Sequence, residues 1–293
     1  MAAFTIKEIE NLSGIKAHTI RIWEQRYSFL CPKRTDANIR YYSNEELKKV
    51  LNVSLLNKHG YKISHINRMS AKEMQEKILS LSQPQAQQER ICNELIRHMV
   101  DLDINAFEAT LNNYIHVRGL EKTIINIIFS FLQRVGILWA ADHKTAHEHL
   151  ISNIIRQKLI AGIESTASHL QVNKTVLLFL PEGEHNELAL LLMHYLLKSR
   201  GAKVLYLGAN VPIKDLEYLV KNKKPDILYT HLTSVTNNFS VEKFMSKINP
   251  RIYNTSFIIS GKQIQHHKKR CPPNIFLKRS MPEVLEFVSK INM

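Results

Sequence analysis

The order of apolar and polar positions divides the chain into three stretches of different character. Over residues 4–70 the apolar positions come in short helical sets broken by turn residues. Thr5 precedes Ile6–Leu12 with Glu8 three places on, a capping box, and Ser13-Gly14 stops that helix. A second helix is predicted over Ala17–Tyr27, which is helix-turn-helix spacing. Ile9, Leu12, Ile15 and Ile20 supply the contacts between the two helices, leaving His18, Thr19, Arg21 and Arg26 outside. Pro32–Tyr42 is basic, turn-rich and aromatic, and suits a short hairpin. Ser43 and Glu46 form a second capping box for a helix over Glu45–Asn57, ended by Gly60-Tyr61 and followed by one more over Ile63–Met69.

The polar run Ser80–Gln88 reads as a linker leading into a helix start. From about 86 to 170 apolar residues recur every three or four places with hardly a Gly or Pro, which predicts about four consecutive helices and hence a bundle. After Val172 the pattern changes again. Short apolar runs at 175–180, 203–207, 226–230, 256–260 and 274–277 alternate with helical stretches at 187–199, 212–221, 240–248 and 282–291. That alternation predicts a doubly wound parallel sheet, with any ligand at the carboxyl ends of its strands. The predicted architecture is therefore multidomain, α and α/β. A helix-turn-helix head takes 1–75, a helical bundle 76–170 and a Rossmann-like sheet domain 171–293.

Charge adds a partner to this picture. Forty Lys and Arg against 26 Asp and Glu leave +14, and residues 1–75 carry 13 against 7. A basic head favours a polyanion, nucleic acid being the commonest. Cys31, Cys92 and Cys271 lie far apart with no CxxC spacing, which fits a reducing cytoplasm and neither a disulfide framework nor a zinc knuckle. The N-terminus lacks a basic region followed by an apolar core, and the apolar runs fall short of the ~20 residues that span a bilayer. A cytoplasmic protein with no membrane partner is expected.

The candidate DNA-contacting residues are His18, Thr19, Arg21, Arg26 and Tyr27 on the second helix, and Lys33, Arg34, Arg40 and Tyr41 on the hairpin. A recognition helix needs donors for base edges near its start and cations for phosphates. Trp23 and Tyr27 are more often packing residues than DNA contacts, and a surface arginine is usually only solvated. The joint placement of the arginines on one helix and one hairpin favours phosphate contact.

Thr5-Ile-Lys-Glu-Ile, Thr19-Ile-Arg-Ile-Trp-Glu-Gln-Arg-Tyr27, Arg40-Tyr-Tyr-Ser43 and Ile63-Ser-His-Ile66 closely resemble the winged-helix DNA-binding domain of MerR-family transcription regulators. With the bundle and sheet included, residues 76–293 resemble the effector half of the CarH-type members, light-responsive repressors with a cobalamin-binding domain. In that family a Trp and a downstream Glu-His pair cover the upper face of the corrin. Trp139, Glu148 and His149 match them, with one residue fewer between Trp and Glu. The family's cobalt-ligating histidine falls on Asn186, beside His185, within Gly183-Glu-His-Asn-Glu-Leu-Ala189. Thr230 keeps the hydroxyl of the family's Ser-x-Leu element, and Ser260-Gly261 stands where the family tends to have Gly-Gly.

An amide oxygen is a far weaker ligand to cobalt than an imidazole, so the resemblance implies a cobalamin fold with damaged chelation. Zinc is not expected, because Glu148 and His149 are adjacent and point about 100° apart on a helix; apart from the resemblance, His143, His147 and His149 read as surface or satisfied histidines. The chain shows no paired acid and base, nucleophile elbow or phosphate loop, so no enzyme is expected. The leading reading is a transcription regulator binding an inverted-repeat duplex as a dimer or higher oligomer. A corrinoid carrier for methyl transfer, or a regulator with a cofactor-free interaction domain, are the alternatives.

Overall fold

The computed structural model describes residues 4–27, 29–139, 145–167, 172–233, 239–252, 254–265 and 267–291. The chain divides into two compact units, Met1–Ile154 and Ile155–Met293.

In the first unit, α1 (Ile6–Ser13) and α2 (Ala17–Arg26) are joined at Gly14, whose φ of 73° lets it close α1 by donating to Glu10 O. Both capping boxes form as expected: Thr5 with Glu8 at α1, and Ser43 with Glu46 at α3 (Asn44–Lys58). Between α2 and α3 lies a two-stranded antiparallel wing, β1 (Lys33–Arg34) and β2 (Arg40–Tyr41). Then come α4 (Ile63–Ile66), shorter than expected, and α5 (Ala71–Ser80), where no helix was expected. Trp23, 5% exposed, packs with Val53, Leu56, Ile66 and Ile78, so α5 closes the core of the head through Ile78. Trp23 is a packing residue of that core.

Only residues 81–83 lie between α5 and α6 (Pro84–Asp101). The supposed linker over 80–88 is thus largely helical. Pro84 opens α6, where its missing N–H costs nothing and its fixed φ suits the first turn. After α6 come α7 (Ile104–Arg118) and one long rod: α8 (Leu120–Thr123), a π-helical stretch Ile124–Ile128, and α9 (Phe129–Trp139). Arg134 on α9 donates through Nε to Leu12 O at 2.7 Å and through Nη2 to Asn93 Oδ1 at 2.8 Å. Asn93 on α6 in turn donates to Leu51 O at 3.3 Å. One guanidinium thereby ties α1, α3 and α6 to α9, so the head and the start of the bundle share a unit.

α10 (Thr145–Ser165) crosses from the first unit into the second. There a five-stranded, all-parallel sheet runs in the order β4-β3-β5-β6-β7. Its strands are β3 (Thr175–Pro181), β4 (Lys203–Val211), β5 (Ile227–His231), β6 (Ser256–Ser260) and β7 (Ile275–Lys278). They alternate with α11 (Leu188–Ser199), α12 (Ile213–Lys223), α13 (Val241–Ile252) and α14 (Met281–Ser289). The doubly wound sheet is the one expected, within a few residues at each element end. β3 is buried along Val176–Pro181, because helices cover both faces of a parallel sheet.

Candidate nucleic-acid interface and ligand crevice

On α2, His18, Arg21, Ile22 and Gln25 recur at helical spacing and are all exposed, forming one outward face; Arg26 is exposed beside them. Thr19 is half-buried, and its Oγ1 lies 3.3 Å from His18 Nε2. Tyr27 is half-buried and stacks on Phe29 at 6.1 Å, so it is shared between the core and the surface. Ile22 and Gln25 belong to the outward face and were missed, because an isoleucine in a helical pattern reads as core.

The N-terminus of α2 is capped from α1. Glu10 accepts from the Ala17 N–H at 3.3 Å and pairs with Lys16 at 3.2 Å. That hydrogen bond to Lys16 is the main cause holding the Glu10 carboxyl below its ordinary range.

The wing carries Lys33 and Arg34, both exposed, and Ile39, 59% exposed. Arg34 Nη1 donates to Asn38 Oδ1 at 2.6 Å across the tip, where Asn38 adopts φ 61°. Arg40 is different. Its Nε donates to Glu24 Oε2 at 2.9 Å, and Glu24, whose side chain is only 9% exposed, accepts the Tyr42 hydroxyl on its other oxygen. Burial, then Glu24, raises the Tyr42 pKa. Tyr42 also exchanges two backbone bonds with Phe4. Tyr41 is half-buried. One partly buried carboxylate thus joins α2 to the wing, and the two backbone bonds of Tyr42 tie Phe4 to it.

In the second unit the crevice expected at the carboxyl ends of the strands is described for the loop after β3 and the first residues after β5. Glu184, fully buried, accepts from Thr233 N–H at 2.7 Å and from Asn186 N–H at 3.2 Å, while its carbonyl accepts from Asn210 N–H. One carboxylate therefore staples the loops after β3 and β5, the two strands where the sheet order reverses. Asn186 is half-buried, and its Oδ1 accepts from Leu188 N–H at 3.4 Å at the start of α11; His185 is exposed.

Further along, the Ser260 hydroxyl, 1% exposed, sits 2.6 Å from Tyr229 Oη and 2.8 Å from His231 Nδ1. Tyr229 stacks on Phe287 of α14 at 6.2 Å. Burial pushes the His231 imidazole down to about 4. Thr230 is fully buried, and its Oγ1 has no hydrogen-bond partner among the described residues. Gly261, at φ 108°, lies so close to Leu232 that a Cβ there meets Leu232 O at 2.3 Å, so glycine is obligatory.

Trp139 ends α9; Glu148, half-buried, and His149, exposed, lie near the start of α10. Burial raises the Glu148 carboxyl, opposed by His149. These three belong to the first unit and the crevice residues to the second. His143 lies outside the described residues, and His147 is half-buried. Among the described residues there is no group of three potential metal ligands and no helix long and apolar enough to cross a membrane.

Residues 4–73 match the family described as the MerR HTH family regulatory protein. Over 226 residues the chain is 29% identical to the HTH-type transcriptional repressor CarA of Myxococcus xanthus, covering 76% of this chain and 74% of that protein. It is 27% identical to the HTH-type transcriptional repressor CarH of the same organism, covering 77% of each. Among solved structures, the monomethylamine corrinoid protein of Methanosarcina barkeri aligns with 69% of this chain and 98% of its own at a TM-score of 0.46 and 10% identity. Residues 4–73 are accordingly a MerR-type helix-turn-helix domain, on a chain that is similar to the repressors CarA and CarH over three quarters of its length.

Proposed function

We propose that the protein is a cytoplasmic, non-catalytic transcription regulator that binds an inverted-repeat duplex as a dimer or higher oligomer. In this reading residues 1–75 bind DNA, 76–170 cap the effector half, and 171–293 form a cobalamin-binding-like domain. The observation that carries it is the outward face of α2, held to the wing by Glu24. His18, Thr19 and Gln25 supply hydrogen-bonding groups for base edges, and Ile22 offers an apolar contact for a thymine methyl. Arg21, Arg26, Lys33 and Arg34 supply cations for phosphates, and Tyr27 and Tyr41 flank them from the helix and the wing. One helix reads only a few base pairs, so affinity at cellular salt needs paired half-sites.

Selection of bound duplexes from a random pool, followed by mobility shifts over a salt series, tests this. Enrichment of a two-fold symmetric site is expected, and capture of only unrelated sequences sinks the reading. Arg21→Ala is expected to weaken all duplexes and reduce the salt slope by about 1. His18, Thr19 and Gln25 substitutions are expected to change sequence preference instead.

The residues of the sheet unit do not fit a cobalamin held by a protein imidazole. Asn186 spends its side-chain oxygen on the start of α11, His185 is exposed one residue early, and Ser260 is engaged by two neighbours. The unit serves in this reading as an interaction or sensory module without a cobalt-ligating histidine.

A further inference from the structure

Most of the excess positive charge lies outside the head. Residues 155–293 carry 20 Lys and Arg against 10 acids, or +10, whereas 1–154 carry 20 against 16, or +4. Within the sheet unit the charge is concentrated in residues 262–279, which hold Lys262, Lys268, Lys269, Arg270, Lys278 and Arg279 and no acid. The stretch follows β6 and ends with β7 at the edge of the sheet.

Its described residues, 262–265 and 267–279, form a fixed ridge. Ile264 and Ile275 are buried anchors, Gln263 N–H donates to Leu232 O, and Asn274 Nδ2 donates to Ile252 O and Thr255 O. Arg279 Nη2 donates to His267 O at 3.2 Å, drawing the end of β7 against the loop. The acids nearby offset part of it, at Lys269, Lys278 and Arg279. Glu242 lies 3.5 Å from both His267 Nδ1 and Lys269 Nζ and accepts from Ser240. Glu283 is bound to Ser280 and to the Arg279 backbone. Lys262, Lys268 and Arg270 are exposed and pair with no carboxylate among the described residues.

We propose that Lys262, Lys268, Lys269 and Arg270 form a second polyanion-binding surface that takes the phosphate backbone of duplex DNA, at phosphates other than those the head contacts. This rests on the reading of the chain as a DNA-binding regulator. Phosphates are bound by exposed Lys and Arg on a stable backbone, each contact adding to the salt dependence. Protein–protein interfaces instead deplete lysine and depend on buried aromatic or arginine anchors. Exposed lysines at 262, 268 and 269 with an exposed arginine at 270 suit the first partner.

The test uses the full chain and the selected operator in a duplex of about 20 bp and in one of about 60 bp, the shorter spanning little more than two half-sites. The triple variant Lys268→Gln, Lys269→Gln, Arg270→Gln is expected to bind the long duplex about 10-fold more weakly at ~0.15 M salt, with a salt slope smaller by about 2–3. Its melting temperature and its affinity for the short duplex stay near wild type, and Lys268→Arg with Lys269→Arg retains full affinity. Unchanged affinity and slope on the long duplex overturn the proposal. So does loss of binding to a poly-glutamate peptide with DNA binding intact, which assigns the ridge to an acidic protein segment. Wild-type binding to the short duplex keeps the head reading standing whatever the ridge does; binding to neither duplex sinks both.

Discussion

Arg40 on the wing and Glu24 on the recognition helix form one partly buried ion pair, with Nε and Oε2 2.9 Å apart. Glu24 also accepts the hydroxyl of fully buried Tyr42, so the carboxylate fixes the wing to α2 as one body. An arginine expected to contact DNA is therefore committed at its Nε to the angle between helix and wing, which decides whether both meet one duplex.

Glu24→Ala leaves the Tyr42 hydroxyl and the Arg40 guanidinium without their acceptor. The expected cost is about 1–3 kcal/mol, that of orphaning buried polar groups. DNA affinity is expected to fall for every sequence with little change in salt slope, because the cations proposed to contact phosphates remain. Mobility shifts beside thermal unfolding check this, and a changed base preference with unchanged stability contradicts it.

Arg134→Ala removes the donor that ties α9 to the end of α1 and to Asn93. A destabilisation of about 2–4 kcal/mol is expected, since Leu12 O and Asn93 Oδ1 both lose their charge-assisted partner. Arg134→Lys is expected to recover only part, because an ammonium cannot supply two separately directed guanidinium donors. Denaturant melts of the full chain measure both.

His231 supplies a pH dependence. Its folded-state pKa is pushed down to about 4 by burial, so the unfolded chain binds the extra proton between its ordinary value of 6.5 and that point. Stability is therefore full above about pH 6.5 and is lost as pH falls toward 4, by about 1–3 kcal/mol. Thermal melts of wild type and His231→Gln between pH 7 and 4 are expected to converge on acidification. Parallel curves would remove His231 as the cause.

Incubated with adenosylcobalamin and desalted, the wild-type protein is expected to stay colourless and to keep its oligomeric state on illumination. Asn186→His is expected to increase uptake, and adding Ser260→Gly to increase it further, by releasing the hydroxyl that holds Tyr229 and His231. Stoichiometric uptake by the unmodified chain, with a spectrum showing an axial nitrogen, contradicts the argument and points to His185.

Local signals carried much of the result. The capping boxes at Thr5 and Ser43 are complete within four residues, so the starts of α1 and α3 could be read directly. The strands of the sheet unit were legible because a parallel sheet buried on both faces demands continuous apolar runs. The resemblance to the MerR-type head rested on contiguous segments. Pro84 was misread as linker, because a proline followed by glutamines is compatible with both a turn and a first helical turn.

The sequence by itself determined the helix-turn-helix head, the alternating sheet unit and the presence of asparagine at position 186. Only the tertiary structure decided what the polar side chains do. Glu24 meets a partner 16 residues away, Glu184 one 49 residues away, and Arg134 one 122 residues away. No local pattern encodes such pairings, since they depend on which elements the core brings together. The exposed face of α2 was decided in the same way, because Ile22 looks like a core residue until Trp23 and Ile20 take the buried side.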